Sequence, residues 1–247
     1  WSPGGGLYNN MIHPLAPVAV RGAVWYQGES NCIGGAGMKY VDLQKKMVGA
    51  WRELFGPEMS FYFIQIAPYS YTARKTPTLP TYALPEFWQA QAEAAKQVPH
   101  SAMVVINDLV ENVADIHPSD KLNVGKRLAA VALAKNYGRK EIVSSGPTFR
   151  AAEAEGATIR VRFDNIGTGL ALRNGDQPTH FLIAGEDKAF HPAGGTIDGD
   201  SVVLRSDKVA KPVAVRFAWD EAAMPNLMNK EGLPAGSFRS DDWKLGE

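Results

Sequence analysis

One cysteine, Cys32, stands in 247 residues. That scarcity excludes an internal disulfide framework and any zinc or iron–sulfur centre held by several cysteines. It does not fix the compartment. Excess charge is missing too: Lys+Arg 26 and Asp+Glu 26 cancel. The balance argues against a generally basic nucleic-acid binder and against an acidic tail. No apolar run approaches the ~20 residues of a membrane span. Only five histidines are present, with no H-x-x-x-H or paired-carboxylate spacing that would hold a metal. An initiator Met and a basic-then-apolar signal segment are also lacking, because the chain opens WSPGGGLYNN. The expectation is a cut precursor or one piece of a longer polypeptide.

What is present reads as globular: 45% hydrophobic and 21% charged residues. The first 146 residues alternate strand-like and helix-like segments. A short helix is expected over 7–13, before Pro14. Runs 19–26, 60–67 and 102–106 are apolar and short, as strands covered on both faces are. Residues 38–55 place Tyr40, Leu43, Met47, Trp51 and Leu54 at helical steps, and Gly56-Pro57 ends the helix. Helices are expected again over 85–97, with Pro85 in the first turn, and over 119–137, capped by Ser119 or Asp120. The order is that of a doubly wound α/β layer with parallel strands. Three strands are few for such a sheet, where four to six are usual. Polypeptide absent from this chain is expected to complete it.

The pattern changes at Gly146-Pro147. Residues 147–219 carry short alternating runs between turn signals, such as ATIRVRF and SVVLRS, and read as a small antiparallel β module. The stretch 220–247 is expected to be an irregular tail that packs back on the α/β part, being too apolar for disorder.

Two blocks could carry chemistry. In Trp25-Tyr26-Gln27-Gly28-Glu29-Ser30-Asn31 a carboxamide follows a strand, where open α/β sheets place ligands. Gln27 could donate to a developing oxyanion, and Gly28 would let a substrate approach the backbone. The same residues also suit a plain polar turn. In Asp115-Ile116-His117-Pro118 a loop histidine precedes a helix with a carboxylate nearby, as a general base for a serine requires. An exposed histidine near a helix cap is the alternative. His13, His100, His180 and His191 read as structural or exposed. Gly28-Glu29-Ser30-Asn31-Cys32 begins like a G-x-S-x-G nucleophile elbow, with Cys32 in place of the last glycine. Ser30 is therefore a rival nucleophile, and Cys32 reads as a small buried thiol.

LYNNMIHPL, GAVWYQGESN, FYFIQIAPY, DIHPSDKLNVGKRLA and NLMNKEGLPAGSFRSDDW, in this order, resemble the sialate O-acetylesterase family of SGNH or GDSL-like hydrolases. The resemblance implies a flavodoxin-like three-layer α/β/α core, incomplete here, with β-rich accessory regions. It implies removal of acetyl groups from sugars by Ser–His acyl transfer, without a metal or organic cofactor. His117 matches the family's catalytic histidine, and Gln27 stands where the superfamily places its oxyanion donor. Glu29 would brace that block. Gly28, Asn31 and Tyr69 are the expected substrate contacts. The superfamily's usual acid lies three residues before the histidine, where this chain has Ala114. Asp115 is then the nearest candidate and Asp108 the spare.

The family's nucleophile block, resembling S-S-W-G-G-T, is absent, and Ser2 does not supply it. The expectation is a second piece, an N-terminal fragment or another chain, that carries the serine and the first core strand. Tyr69, Tyr71, Phe238 and Trp243 are expected either to stack on sugar or to pack between domains, Trp243 more in packing. A secreted or periplasmic location goes with the family. The rivals are a self-contained hydrolase using Ser30 and a non-catalytic carbohydrate-binding protein.

Overall fold

The structure, a computed structural model, describes residues 4–73 and 78–246. Ser2 and part of the loop 68–82 lie outside the described residues. The expected helix at 7–13 is a wide turn at Tyr8–Ile12 and a tight turn at His13–Leu15, with no buried residue in either.

The α/β part runs β1 (Gly22–Trp25), α1 (Glu29–Ile33), α2 (Tyr40–Phe55), β2 (Ser60–Ile64), α3 (Ala83–Gln97), β3 (Ser101–Val104) and α4 (Lys121–Asn136). The strands form one parallel sheet in the order β1-β2-β3. Side chains alternate across it. Phe61 and Phe63 of β2 pack with α2 and α3 on one face, through Val48, Phe87 and Trp88. Tyr62 and Ile64 pack with Val124 and Val131 of α4 on the other. Every residue of β2 is buried, as its continuous apolar run predicts. β1 is different. Ala23 and Trp25 join the α2–α3 side, but Val24 is 64% exposed, because α4 covers β2 and β3 and nothing described covers β1.

Helix α2 has the expected length and a shifted face. It buries Tyr40, Val41, Gln44 and Val48, while Leu43 is exposed. A helix turns about 100° per residue, so a one-residue error in phase moves Leu43 out of the interface.

The β-rich part runs β4 (Thr148–Glu155), β5 (Thr158–Asp164), β6 (Leu170–Leu172), β7 (Phe181–Ala184), β8 (His191–Pro192), β9 (Gly194–Asp198), β10 (Ser201–Arg205), β11 (Ala214–Phe217), β12 (Leu227–Asn229) and β13 (Phe238–Arg239). One sheet has the order β4-β5-β10-β9 and the other β13-β11-β7-β8, with β12 paired to β6. Ile159, Val161, Phe163, Val202 and Leu204 from the first meet Phe181, Ile183, Val215 and Phe217 from the second in one core. The period-2 burial of β5 is what such a face-to-face arrangement requires.

The stretch 220–247, expected as an irregular tail, supplies two strands, β12 and β13, to the β part. Phe238 stacks on Phe149 at 4.5 Å and lies among Phe163, Phe181 and Phe217. It is a core ring, with no face left for sugar. The same stretch also binds the α/β part. Asn107 Nδ2 donates to Ala235 O at 2.9 Å, and Arg239 Nε to Gln89 Oε1 at 3.1 Å.

Candidate functional site

Parallel strands bring their carboxyl ends to one edge of the sheet, and the loops after β1, β2 and β3 meet there. The loop after β2 is held from below. Gln91, fully buried on α3, accepts from Ile66 N at 3.0 Å and donates to Ile64 O at 3.2 Å, and Trp88 Nε1 donates to Ile66 O at 2.7 Å. From above, Tyr69 N donates to Glu221 O and Ser70 N to Val113 O, both at 2.9 Å. Thr72 donates its N–H and hydroxyl to the Glu221 carboxylate. One loop thus ties the histidine loop to the C-terminal stretch.

After β1, Gly28 has φ 155°, and a Cβ there would meet Phe87 at 2.7 Å and Ile66 at 2.9 Å. Its missing side chain makes room for the core, whereas the sequence suggested room for a substrate. Gln27 Nε2 donates to Asn31 Oδ1 at 2.7 Å, which uses one of its two N–H groups and leaves the other. Asn31, expected at the substrate, is engaged in orienting Gln27. Ser30 sits exposed in the one-turn helix α1, and among the described residues its hydroxyl makes no hydrogen bond to a histidine. Cys32 is buried, and burial first, then the carboxylates of Glu221, Glu29 and Glu86, push its thiol up to about 12. It is inert as a nucleophile at neutral pH. Burial, then Glu29, also raises the Tyr26 phenol, whose hydroxyl has no partner among the described residues.

After β3, the loop 107–120 has no regular structure and is held by turns. Asp115 N donates to Asn112 O at 3.0 Å, and Ala114 N to Asn112 Oδ1 at 2.9 Å. Asp115 Oδ1 accepts from His117 N at 2.9 Å and lies 3.4 Å from His117 Nδ1. One carboxylate therefore sets the backbone and faces the inner ring nitrogen, which leaves Nε2 outward. The two side chains are 84% and 64% exposed. An exposed pair contributes little energy, so the turn fixes the geometry more than the charges do. Asp108, the spare candidate for the acid, is engaged elsewhere. It forms a two-pronged pair with Arg127 of α4, both contacts 2.6 Å, at about a tenth exposure. Asp120, rather than Ser119, caps α4 by accepting from Asn123 N at 3.0 Å.

One contact joins the two blocks. Lys121 Nζ, four residues after His117, lies 5.1 Å from the ring centre of Tyr26, the residue before Gln27. Ile116 packs on the cluster that also holds Tyr26 and Tyr69. Tyr69 itself meets Tyr71 edge-on at 4.8 Å, and Tyr71 is fully buried. Tyr71 is thus excluded as a stacking platform. Tyr26 and Lys121 were not singled out in the sequence. Their only signal there was adjacency to Gln27 and to the start of α4.

Comparison with known proteins identifies the family. A family model described as "Carbohydrate esterase, sialic acid-specific acetylesterase" matches residues 1–134. The sialate O-acetylesterase of Rattus norvegicus is 31% identical over 235 residues, 86% of this chain and 42% of that protein. The one from Mus musculus is 28% identical over the same shares. The chain spans less than half the length of these curated relatives. A crystal structure of a carbohydrate acetylesterase from Xanthomonas citri superposes with a TM-score of 0.86 at 38% identity, over 96% of this chain and 54% of that one. With the family model matching over half of its length, the chain belongs to the carbohydrate esterase family of sialic acid-specific acetylesterases.

Proposed function

We propose that this chain is the histidine-bearing part of a carbohydrate O-acetylesterase working by Ser–His acyl transfer, with the serine supplied by polypeptide outside it. The observation that carries this reading is the Asp115–His117 arrangement, with Nδ1 facing the carboxylate and Nε2 outward at the edge where Gln27 ends β1. The α/β part is then a portion of an SGNH-type, flavodoxin-like core, and the missing piece adds a strand beside β1. That piece would cover Val24 and the exposed dyad, excluding water from the reacting centre.

In this mechanism the serine Oγ attacks the acetyl carbonyl carbon while His117 Nε2 takes its proton. The free N–H of Gln27 bonds the oxyanion, and such a donor is worth about 3–4 kcal/mol in the transition state. His117 then protonates the departing sugar oxygen, leaving an acetyl-serine. Water attacks the acetyl group, His117 takes the water proton and returns it to serine, and acetate leaves. One proton passes from serine through Nε2 to the sugar oxygen and a second from water through Nε2 to serine, while the acetic acid formed ionises in solvent, so no cofactor is needed. Glu29 braces the Gln27 block, and the substrate is an acetylated sugar, sialate or plant polysaccharide. A secreted or periplasmic location belongs to the same reading.

The test uses the full-length protein and an acetylated sugar. His117→Ala lowers kcat by roughly a thousandfold or more while the thermal transition stays in place. Gln27→Ala lowers kcat and leaves KM nearly unchanged, because its bond forms with the oxyanion. A His117→Ala variant with wild-type kcat overturns the assignment, and loss on Ser30→Ala alone would transfer it to the self-contained hydrolase.

A further inference from the structure

The loops at the sheet edge close around a buried carboxylate that the mechanism above does not use. Glu221 is 8% exposed. Among the described residues its partner is Thr72 rather than a cation. The Thr72 N–H lies 3.1 Å from each carboxylate oxygen, and the Thr72 hydroxyl donates to the same group. Burying a charge without a cation is costly. A fold keeps such a group where its hydrogen bonds do what an apolar side chain cannot.

The backbone that delivers Glu221 is itself forced. β11 ends at Phe217, and the next residue, Ala218, is buried with φ 49°, where a Cβ is disfavoured. Ala218 N donates to His180 O at 2.9 Å, which holds that conformation. Asp220 then closes a turn by accepting from Ala222 N at 2.9 Å. The chain thus leaves the β part and meets Thr72, 149 residues earlier.

Both blocks of the proposed mechanism lie one step from this residue. Glu221 O accepts from Tyr69 N at 2.9 Å and its carboxylate takes Thr72, so 69–72 is pinned at both ends. Ser70, between them, donates its N–H to Val113 O at 2.9 Å, on the loop that carries His117. On the other side is α1. Its Cys32 thiol is raised by burial first and by the Glu221 charge next, and its Asn31 orients Gln27.

We propose that Glu221 is a positioning residue for acetyl transfer, fixing the histidine loop against the Gln27 block through Tyr69–Thr72. This role rests on the acetylesterase reading above. It makes the β part, which delivers Glu221, a working part of the reaction centre rather than a separable accessory module. Without the carboxylate, Thr72 is released while the Tyr69–Glu221 backbone bond remains, so the loop loosens without unfolding. A displacement of about 1 Å between reacting groups costs about a hundredfold in rate. Glu221 is buried, so the loss falls on kcat rather than on KM.

Turnover of 4-nitrophenyl acetate by the full-length protein tests this, because that ester carries no sugar and reports acetyl transfer itself. Rates are taken per folded molecule, with the folded fraction read from the thermal transition. Glu221→Ala is expected to lower kcat about a hundredfold and to leave KM within about twofold. Glu221→Gln recovers kcat to within about fivefold of wild type, since an amide oxygen accepts from Thr72 without the charge. A residue that only supports the fold would lower stability and leave both the rate per folded molecule and the Gln rescue unmoved. Wild-type kcat in Glu221→Ala, a change confined to KM, or no recovery in Glu221→Gln overturns the proposal. If Glu221→Ala does not fold, Thr72→Val decides. Thr72 is exposed, so that variant folds, loses the hydroxyl bond and loses about fivefold in kcat. Wild-type kcat in it then overturns the proposal. His117→Ala, run alongside, separates the two readings. If it keeps wild-type kcat, the acetylesterase reading fails and takes this role with it. If it is inactive while Glu221→Ala is unimpaired, the positioning role alone fails.

Discussion

At the residue scale, the group with the largest reactive potential is the one the fold silences. Cys32 lies behind Gly28 and Ile66, and its thiol is pushed up to about 12 by burial and then by Glu221, Glu29 and Glu86. A raised thiol stays protonated, so this group contributes no pH dependence at neutrality. It opposes folding only as pH rises above the ordinary thiol range, where the unfolded chain would ionise first. At pH 8 a disulfide reagent such as DTNB should label the native protein at least about a thousandfold more slowly than the unfolded one. Rapid labelling of folded protein would show that the thiol is open to solvent. Gly28 obeys the same packing logic, since its place is set by Phe87 and Ile66.

At the element scale, the residues of the proposed mechanism sit on loops, which the elements hold in place. The loop after β3 is fastened at its start by Asp108 to Arg127, which also donates to Val105 O at 2.8 Å. Both side chains are mostly buried, at 12% and 11% exposure. Removing one partner leaves a buried, unmatched charge, so Asp108→Ala should cost about 3–5 kcal/mol of stability. Urea unfolding of the full-length protein measures that cost. The expected companion result is a kcat per folded molecule close to wild type. A large fall in kcat with unchanged stability would instead make Asp108 the acid of the catalytic set.

At the scale of the whole molecule, the apolar surface is unevenly covered. Leu7 and Met11, in the turns before β1, are 56% and 64% exposed, and Val24 on the β1 edge is 64% exposed. A strand edge with an open apolar face invites pairing. If the polypeptide outside this chain supplies a core strand, its contact should exceed the ~1,600 Å² of a standard interface. These 247 residues alone should then be poorly soluble or bind hydrophobic dyes, and should lack acetylesterase activity. Co-expression with the preceding piece of the protein should restore both solubility and turnover. A compact, active monomer of this chain alone would defeat the two-piece reading.

Sequence by itself determined the local elements. Helix α3, the buried β2, the alternating β5 and a cap at Ser119 or Asp120 all follow from neighbours a few residues apart, where periodicity and capping act. The QGES and DIHP blocks stood out through their resemblance to a family, and their roles rest on the proposed function. Tertiary structure alone decided which partners those residues take. Asp108 meets Arg127 rather than a histidine, Asn31 turns back on Gln27, and Leu43 faces out. It alone decided that Phe238 enters a core and Trp243 a cleft. It also placed two short strands, β12 and β13, in the otherwise irregular C-terminal stretch, because they exist only through pairing with β6 and β11. Such choices depend on contacts between distant segments, and no local pattern encodes which distant group will arrive.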